Sequence, residues 1–420
     1  MCPAPIRVPG DKSITHRALV LAALAPGESR IEGALTSLDA RSSAACLRAL
    51  GAEVSPLRPG RGLTIRGRGR FRSPSARLHC GNSGTTARLL LGALAGHPFV
   101  ATLTGDASLR RRPMRRVTEP LERMGARVTP AGADHLPLSI RGGRLEPIEW
   151  ELPVSSAQLK SALLLAGVTG SVAVAVRESA GRSRDHTERM LRSFGFRVEE
   201  PGDGWIRFRP TGRLAPFEAT IPGDPSSAAF LVAAGLLREG GALRLAGVGL
   251  NPTRTGFLRV LGRMGAAVGV EDEGEVCGEP VGTLLVRTAA LRGAEVAATE
   301  IPGLIDEVPV LAVLASRARG ETVFREVGEL RVKESDRLGL LAENLRAVGA
   351  DASVEGEDLV VAGGHAAPPR GRVRTAGDHR LSMAFGVLGT LPGARVTIDD
   401  RACAAVSFPG FWDRLREATR

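Results

Sequence analysis

Six copies of one pattern run through the 420-residue chain: an apolar helical stretch, a glycine-containing turn and a strand-like run. They read HRALVLAALAPGESRIEG (16–33), RLLLGALAGHPFVATLTG (88–105), SALLLAGVTGSVAVAVRE (161–178), AAFLVAAGLLREGGALRLAGV (228–248), VPVLAVLASRARGETVFREV (308–327) and SMAFGVLGTLPGARVTIDD (382–400). The copies recur at roughly seventy to eighty residues, which makes internal repetition the first fact about the fold. A second pattern lies between them: LRALGAEV (47–54), LERMGARV (121–128), LRSFGFRV (191–198), LGRMGAAV (261–268) and LRAVGADA (345–352). Each ends a helix on a glycine at the position that favours a left-handed residue, then enters a strand. The repeating unit is therefore α/β, of the form β-α-β-α-β-β. Its first helix is apolar nearly all round, the mark of a buried helix.

A chain of this length exceeds what one core usually serves, so two lobes of three repeats are expected, with sheets outside and buried helices within. Three repeats end near IPGD (221–224), and RVPGD (7–11) carries the same Pro-Gly-Asp. The expected lobes are residues 11–222, and 1–10 plus 223–420, with crossovers near Gly10 and Gly223.

The polar residues cluster just ahead of the six apolar helices. The junctions are VPGDKSITHR (8–17), HCGNSGTTAR (79–88), PVSSAQLKS (153–161), IPGDPSSAA (221–229), IPGLIDEVP (301–309) and TAGDHRLSM (375–383). Each alone is a good helix cap, and IPGDPSS needs no further explanation. As a set they predict several helix N-termini gathered at one region, which would attract anions. Lys12, Ser13 and Arg17 stand at the first junction, Asn82, Ser83, Gly84 and Thr85 at the second. Ser156, Gln158 and Lys160 stand at the third, His379 and Arg380 at the sixth. TGDASLRRRPMRR (104–116) adds five arginines, and RVKESDRL (331–338) sets Lys333 and Arg337 on one face if it is helical.

Composition sharpens this. The 56 basic residues are three lysines and fifty-three arginines, and the lysines are Lys12, Lys160 and Lys333, all in these polar segments. The one glutamine, Gln158, stands beside one of them. A lysine offers a compact, proton-exchanging charge where arginine offers a rigid fork. The net charge of +11 calls for an acidic partner. RPGRGLTIRGRGRFR (58–72) is the best nucleic-acid candidate, but aromatics at 4% and an absence of tyrosine leave no stacking platform. The five cysteines are far apart and form no CxxC pair, so neither a zinc site nor a disulfide framework is expected. No apolar run is long enough to cross a bilayer, and MCPAPIRVPGDKS has no apolar signal core; a cytoplasmic protein is expected.

The ordered segments DKSITHR, GNSGTTARL, LTGDASLRRRPM, SAQLKSALLLAG, IDEVPVLAV, RVKESDRL and GDHRLSMAF resemble the 5-enolpyruvylshikimate-3-phosphate (EPSP) synthase family, and the resemblance runs on to SFPGFWDRL (407–415). It implies a two-lobed inverse α/β barrel of six repeats, three per lobe, that closes over its substrates. It implies transfer of the enolpyruvyl group of phosphoenolpyruvate to the 5-hydroxyl of shikimate 3-phosphate, through a tetrahedral adduct that eliminates phosphate. No cofactor or metal is implied. By this resemblance Lys12, Ser13, Arg17, Ser156, Ala157, Gln158, Ser183, Arg184, Asp306 and Lys333 bind shikimate 3-phosphate. Lys12, Asn82, Gly84, Arg112, Gln158, Arg337 and Arg380 bind phosphoenolpyruvate. Asp306 takes the hydroxyl proton, and Glu334 with Lys333 manages the proton at C3, Lys12 assisting. Val406, Glu329 and Ala157 depart from one large class of the family, which has lysine, asparagine and serine there. The chain looks like the second class, which leaves open whether another cation replaces the lysine absent at Val406. Glyphosate is an implied inhibitor, the state expected is a monomer, and neither nucleic acid nor a membrane is a partner.

Two other readings compete. The sister UDP-N-acetylglucosamine enolpyruvyl transferases would show Lys-Asn where this chain has Lys12-Ser13, and a cysteine near SLRRRP. A binding-only protein gains nothing from the Asp306 and Glu334 pair.

Overall fold

A computed structural model of the protein describes residues 4–130, 132, 134–178, 181–364 and 367–420; Cys2 lies outside them. The chain divides into two units. The first is Gly10–Ile221 with Val276–Glu279; the second is Met1–Pro9, Pro222–Glu275 and Pro280–Arg420. Each has its own core. One runs through buried residues from Ile14 to Ile221, the other from Ile6 and Val8 to Ala418.

The repeat is visible in the sheets. The first unit holds three four-stranded sheets. Their strands, in spatial order, are Glu218–Thr220, Gly27–Glu32, Leu63–Gly67 and Glu53–Val54; Leu78–His79, Val100–Thr104, Leu138–Arg141 and Arg127–Thr129; and Ile148–Leu152, Val174–Glu178, Trp205–Arg209 and Arg197–Glu199. The second unit repeats the order. Ile6–Arg7, Ala242–Gly249, Glu279–Arg287 and Val268–Val276 form one sheet, and Glu295–Val296, Glu321–Phe324, Asp358–Ala362 and Asp351–Glu355 another. Among the described residues the last repeat keeps two strands, Arg370–Val373 and Arg395–Ile398. In all six sheets of the described residues the first two strands run parallel. Parallel neighbours need a crossover, and within four of the repeats the apolar helix supplies it.

The exceptions are the two sheets whose first strand is distant in sequence. Glu218–Thr220 pairs with Gly27–Glu32, in register Ala219 with Ile31. Ile6–Arg7 pairs with Ala242–Gly249, Ile6 opposite Leu245. Each of these strands leads into one of the two Pro-Gly-Asp segments, so the first strands of the two units are exchanged along the chain.

The leading helices form on uninterrupted apolar runs, and four of them have a side-chain cap. Asp11, Ser83, Asp224 and Asp378 each accept a backbone N–H of the first turn. All of Lys12–Leu24 beyond Lys12 is buried, as is Pro225–Leu237 up to Leu236. Helices Gly84–Ala95 and Ala157–Gly170 pack closely because Gly92 lacks a side chain. A Cβ there would lie 2.0 Å from the carbonyl oxygen of Ala162.

RVKESDRL is not one helix. A 3-10 turn, Gly328–Val332, stops at Lys333, and a new helix, Arg337–Ala347, starts behind its cap Asp336. Glu334 and Asp336 both engage side chains or backbone of this stretch, which holds the break open. Lys333 and Arg337 are therefore neighbours across a helix start, not residues on one helical face.

Candidate active site

In the first unit the capped N-terminus of Lys12–Leu24 leaves Lys12 half-buried, and Arg17, further along the helix, is buried. Lys12 is ion-paired to Asp39, near the N-terminus of the helix Leu38–Ala49. Arg17 is buried and faces protein on every side. Nε donates to Thr187 Oγ1 at 2.6 Å, Nη1 to the Ser13 carbonyl at 2.9 Å, and Nη2 to Ser161 Oγ at 2.7 Å and the Ala157 carbonyl at 3.4 Å. Burial lowers its guanidinium to about 10. Arg17 thus ties Ser13 to Ala157 and Ser161, two junctions that the sequence had grouped. Ser13 Oγ also receives Arg184 Nη1 at 3.5 Å.

Beside them a hydroxyl chain runs inward. His16 Nδ1 meets Ser43 Oγ at 2.7 Å, Ser43 meets Thr86 at 2.7 Å, and Thr86 Oγ1 donates to Ser83 Oγ at 2.8 Å. Burial lowers the His16 imidazole to about 3, so it is neutral.

At the second junction two arginines flank Gly84. A Cβ on Gly84 would lie 2.7 Å from Arg88 Nη1 and 3.4 Å from Arg112 Nη1. Arg112 Nη2 donates to Asn82 Oδ1 at 2.6 Å, and Asn82 Nδ2 to Asp106 at 2.7 Å. Arg88 Nη1 donates to Gln158 Oε1 at 2.7 Å, and Gln158 Nε2 to Thr85 Oγ1 at 2.9 Å. Two guanidiniums at a helix N-terminus, with a glycine leaving room between them, have the charge and donors that suit an anion. Arg88 is absent from the sequence-derived set. Its signal was its place four residues after Gly84, one turn along the helix.

The third junction is uncapped: Ser156 makes no side-chain cap bond, and Ser156, Ala157 and Gln158 are half-buried. Ser183 is buried, and its hydroxyl has no hydrogen-bond partner.

In the second unit the carboxylates gather around Arg337, which is fully buried. Nε donates to Asp378 Oδ2 at 2.8 Å, Nη2 pairs with Glu334, and Nη1 lies 3.6 Å from Asp306 Oδ1. Burial alone would lower this guanidinium; the charges of Asp378, Glu334 and Asp306 outweigh it and raise it above the ordinary range. Arg380 Nη1 donates to the Asp306 carbonyl at 2.9 Å, and Nη2 lies 3.5 Å from Asp306 Oδ2. Lys333 is half-buried. Desolvation lowers its ammonium, with Arg337 pushing the same way, against the pull of Asp306, Glu329 and Glu334. Such a lysine exchanges protons more readily than an exposed one.

IPGDPSS does more than cap a helix, contrary to the expectation. Asp224 Oδ1 also receives buried Arg254 at 3.1 Å, whose Nη2 donates to Ser226 Oγ at 2.6 Å. Ser226 bonds Glu307, and Glu307 lies 4.0 Å from Arg380. Arg254, Glu307 and Asp378 are partners of the junction residues Asp224, Ser226 and Arg380 and of Arg337 that sequence reading missed. Val406 is half-buried in a 3-10 turn, and Arg401 in the same segment is committed to the face of Trp412 at 3.7 Å. Among the described residues no group of His, Cys, Asp and Glu has a metal-binding arrangement.

A family profile described as EPSP synthase (3-phosphoshikimate 1-carboxyvinyltransferase) matches residues 3–415. A 3-phosphoshikimate 1-carboxyvinyltransferase from Gloeobacter violaceus is 50% identical over 414 residues, covering 98% of this chain and 95% of that protein. A solved EPSP synthase from Acinetobacter baumannii superposes with a TM-score of 0.87 at 37% identity, over 99% of this chain and 95% of that one. The enolpyruvyl transferase NikO from Streptomyces tendae superposes at 0.76 with 20% identity, a likeness of fold alone.

Proposed function

The chain belongs to the EPSP synthase family, the 3-phosphoshikimate 1-carboxyvinyltransferases, and from this premise we propose how its own residues run the reaction. The enzyme transfers the enolpyruvyl group of phosphoenolpyruvate to the 5-hydroxyl of shikimate 3-phosphate and releases phosphate, a step of the shikimate pathway. Two phosphates and two carboxylates must be held while one proton leaves a hydroxyl and another reaches a carbon.

The observation that carries the reading is buried Arg337 with Asp306, Glu334 and Asp378 around it and Lys333 alongside. Asp306 accepts the 5-hydroxyl proton as the oxygen bonds to C2 of phosphoenolpyruvate, and Lys333 with Glu334 delivers a proton to C3. The adduct then loses a C3 proton and the C2–phosphate bond breaks, restoring the double bond. Arg337 and Arg380 hold phosphoenolpyruvate, with Lys12, Asn82, Gly84, Arg112 and Gln158. Arg88 joins them through its bond to Gln158. Lys12, Ser13, Ser156, Ala157, Gln158, Ser183, Arg184, Asp306 and Lys333 hold shikimate 3-phosphate, and Arg17 fixes the backbone and hydroxyls among them.

Glyphosate competes for the phosphoenolpyruvate site on this reading. A monomer in the cytoplasm completes it; no helix among the described residues is long and apolar enough to cross a membrane. Phosphate release is measured with phosphoenolpyruvate and either shikimate 3-phosphate or UDP-N-acetylglucosamine. Release with shikimate 3-phosphate alone is the expected result, and no release from the folded protein with either acceptor would sink the reading.

A further inference from the structure

Lys160 is one of three lysines in this arginine-rich chain, and no step above uses it. Its side chain is wholly enclosed. Nζ reaches Glu178 Oε2 at 2.8 Å, Glu188 Oε1 at 2.9 Å and the Ser183 carbonyl at 3.4 Å. The ammonium donates to Glu178 and to the Ser183 carbonyl and is ion-paired with Glu188. Glu178 Oε2 also accepts the Ser183 N–H at 3.0 Å. The Ser183 peptide groups are gripped on both sides, and Ser155 Oγ donates to the Gly181 carbonyl two residues earlier at 2.8 Å. Ser183 is 4% exposed, and its hydroxyl is the unpaired donor of this cluster, in which Glu178 Oε1 and the Glu188 carboxylate oxygens also lack a hydrogen bond. A buried donor left unpaired beside a fully bonded backbone points to a ligand acceptor. Arg184, the next residue, reaches Ser13 Oγ at 3.5 Å.

We propose that the Lys160–Glu178–Glu188 ion triad is a positioning device. It fixes the backbone at Ser183 so that the hydroxyl, with Arg184, meets the 3-phosphate of the acceptor and discriminates against unphosphorylated shikimate. The inference rests on the functional reading above. It accounts for the retained lysine: a compact ammonium fits an enclosed site with three converging acceptors, where a planar guanidinium does not. Burial disfavours the Lys160 charge, but Glu188 and Glu178 overcome this and raise it, so the lysine stays an ammonium. Glu188 also faces the charge of Arg17, which balances the second carboxylate.

The test is equilibrium binding of shikimate 3-phosphate and of shikimate to wild type, Lys160→Met, Glu178→Gln and Ser183→Ala, with the KM for phosphoenolpyruvate alongside. Lys160→Met and Glu178→Gln are expected to weaken shikimate 3-phosphate roughly ten- to a hundredfold, the range for a charged hydrogen bond. Shikimate binding stays within about twofold, since it has no phosphate to lose. Lys160→Met and Ser183→Ala together cost no more than the larger single effect. Equal loss for both ligands, or unchanged shikimate 3-phosphate binding in a folded variant, overturns the proposal. If Lys160→Met does not fold, isosteric Glu178→Gln decides in the same way. Wild type with no preference for shikimate 3-phosphate would overturn the functional reading itself, a different result from a wild type that discriminates and variants that still do.

Discussion

Asp306 is held by two arginines and is itself 17% exposed at the side chain, so it is both fixed and reachable. Asp306→Asn keeps the shape and removes the base. We expect kcat to fall about 10²–10⁴-fold, the usual worth of a positioned general base, with shikimate 3-phosphate binding retained; stopped-time phosphate assays and calorimetry separate the two. His16 gives a stability prediction. Its imidazole is neutral in the folded chain down to about pH 3, but it takes a proton below about 6.5 when unfolded. The unfolded state therefore binds more protons in that window, and stability falls as pH drops through it. At pH 5 the term is about 2 kcal/mol. In urea melts at pH 5 and pH 7.5, His16→Gln should lose less stability on acidification than wild type by about that amount. At this scale the sequence was legible where composition singled a residue out. Lys12 and Lys333 stood alone among arginines, and so did Lys160, yet its partners Glu178 and Glu188 come from a strand and a helix that only the tertiary fold brings together.

The helix Gly84–Ala95 begins where two guanidiniums crowd the space a Cβ would occupy. Arg88 is the flexible end of a side chain, so Gly84→Ala moves it at little expense to the fold. What moves with it is Gln158, bonded to Arg88 at 2.7 Å. The expected outcome is a raised KM for phosphoenolpyruvate and a raised Ki for glyphosate, each by tenfold or more (about 1.4 kcal/mol). Thermal stability should stay within about 0.5 kcal/mol, as for substitutions that leave the core intact; unchanged constants would contradict the geometry. The helix starts themselves could be read, because capping is local: Asp11, Ser83, Asp224 and Asp378 all stand where the junctions put them. What a cap does besides capping could not. Asp224 binds Arg254, thirty residues on, and a local pattern carries no trace of such a partner. The break at Lys333 was likewise hidden, because Glu334 and Asp336 suit a helix by spacing and end one by bonding Arg337 and the Gly339 N–H.

Each unit has a separate core, and the segment Gly10–Ile221 contains every strand of its three sheets, Glu218–Thr220 included. Residues 10–221 should therefore fold alone and unfold cooperatively in urea, weakened by loss of the 2.7 Å His186–Glu279 pair. Residues 222–420 lack Ile6–Arg7, which leaves the edge of Ala242–Gly249 unpaired. Joining residues 1–9 ahead of Pro222 should raise the Tm of that fragment by several degrees, as about 1 kcal/mol moves a unit of this size by ~2–4 °C. The join is short, since the Asp224 N–H already bonds the Pro9 carbonyl at 2.8 Å. The exchanged strands also set an order of events on the ribosome. Ile6 is made before the whole Gly10–Ile221 segment, and its partner Leu245 only after it. At ~5–20 residues per second that is a wait of roughly ten to fifty seconds, during which the first unit can complete its sheets while Ile6–Arg7 stays without its partner strand. A strand made ahead of the first unit is thus secured only after that unit is complete.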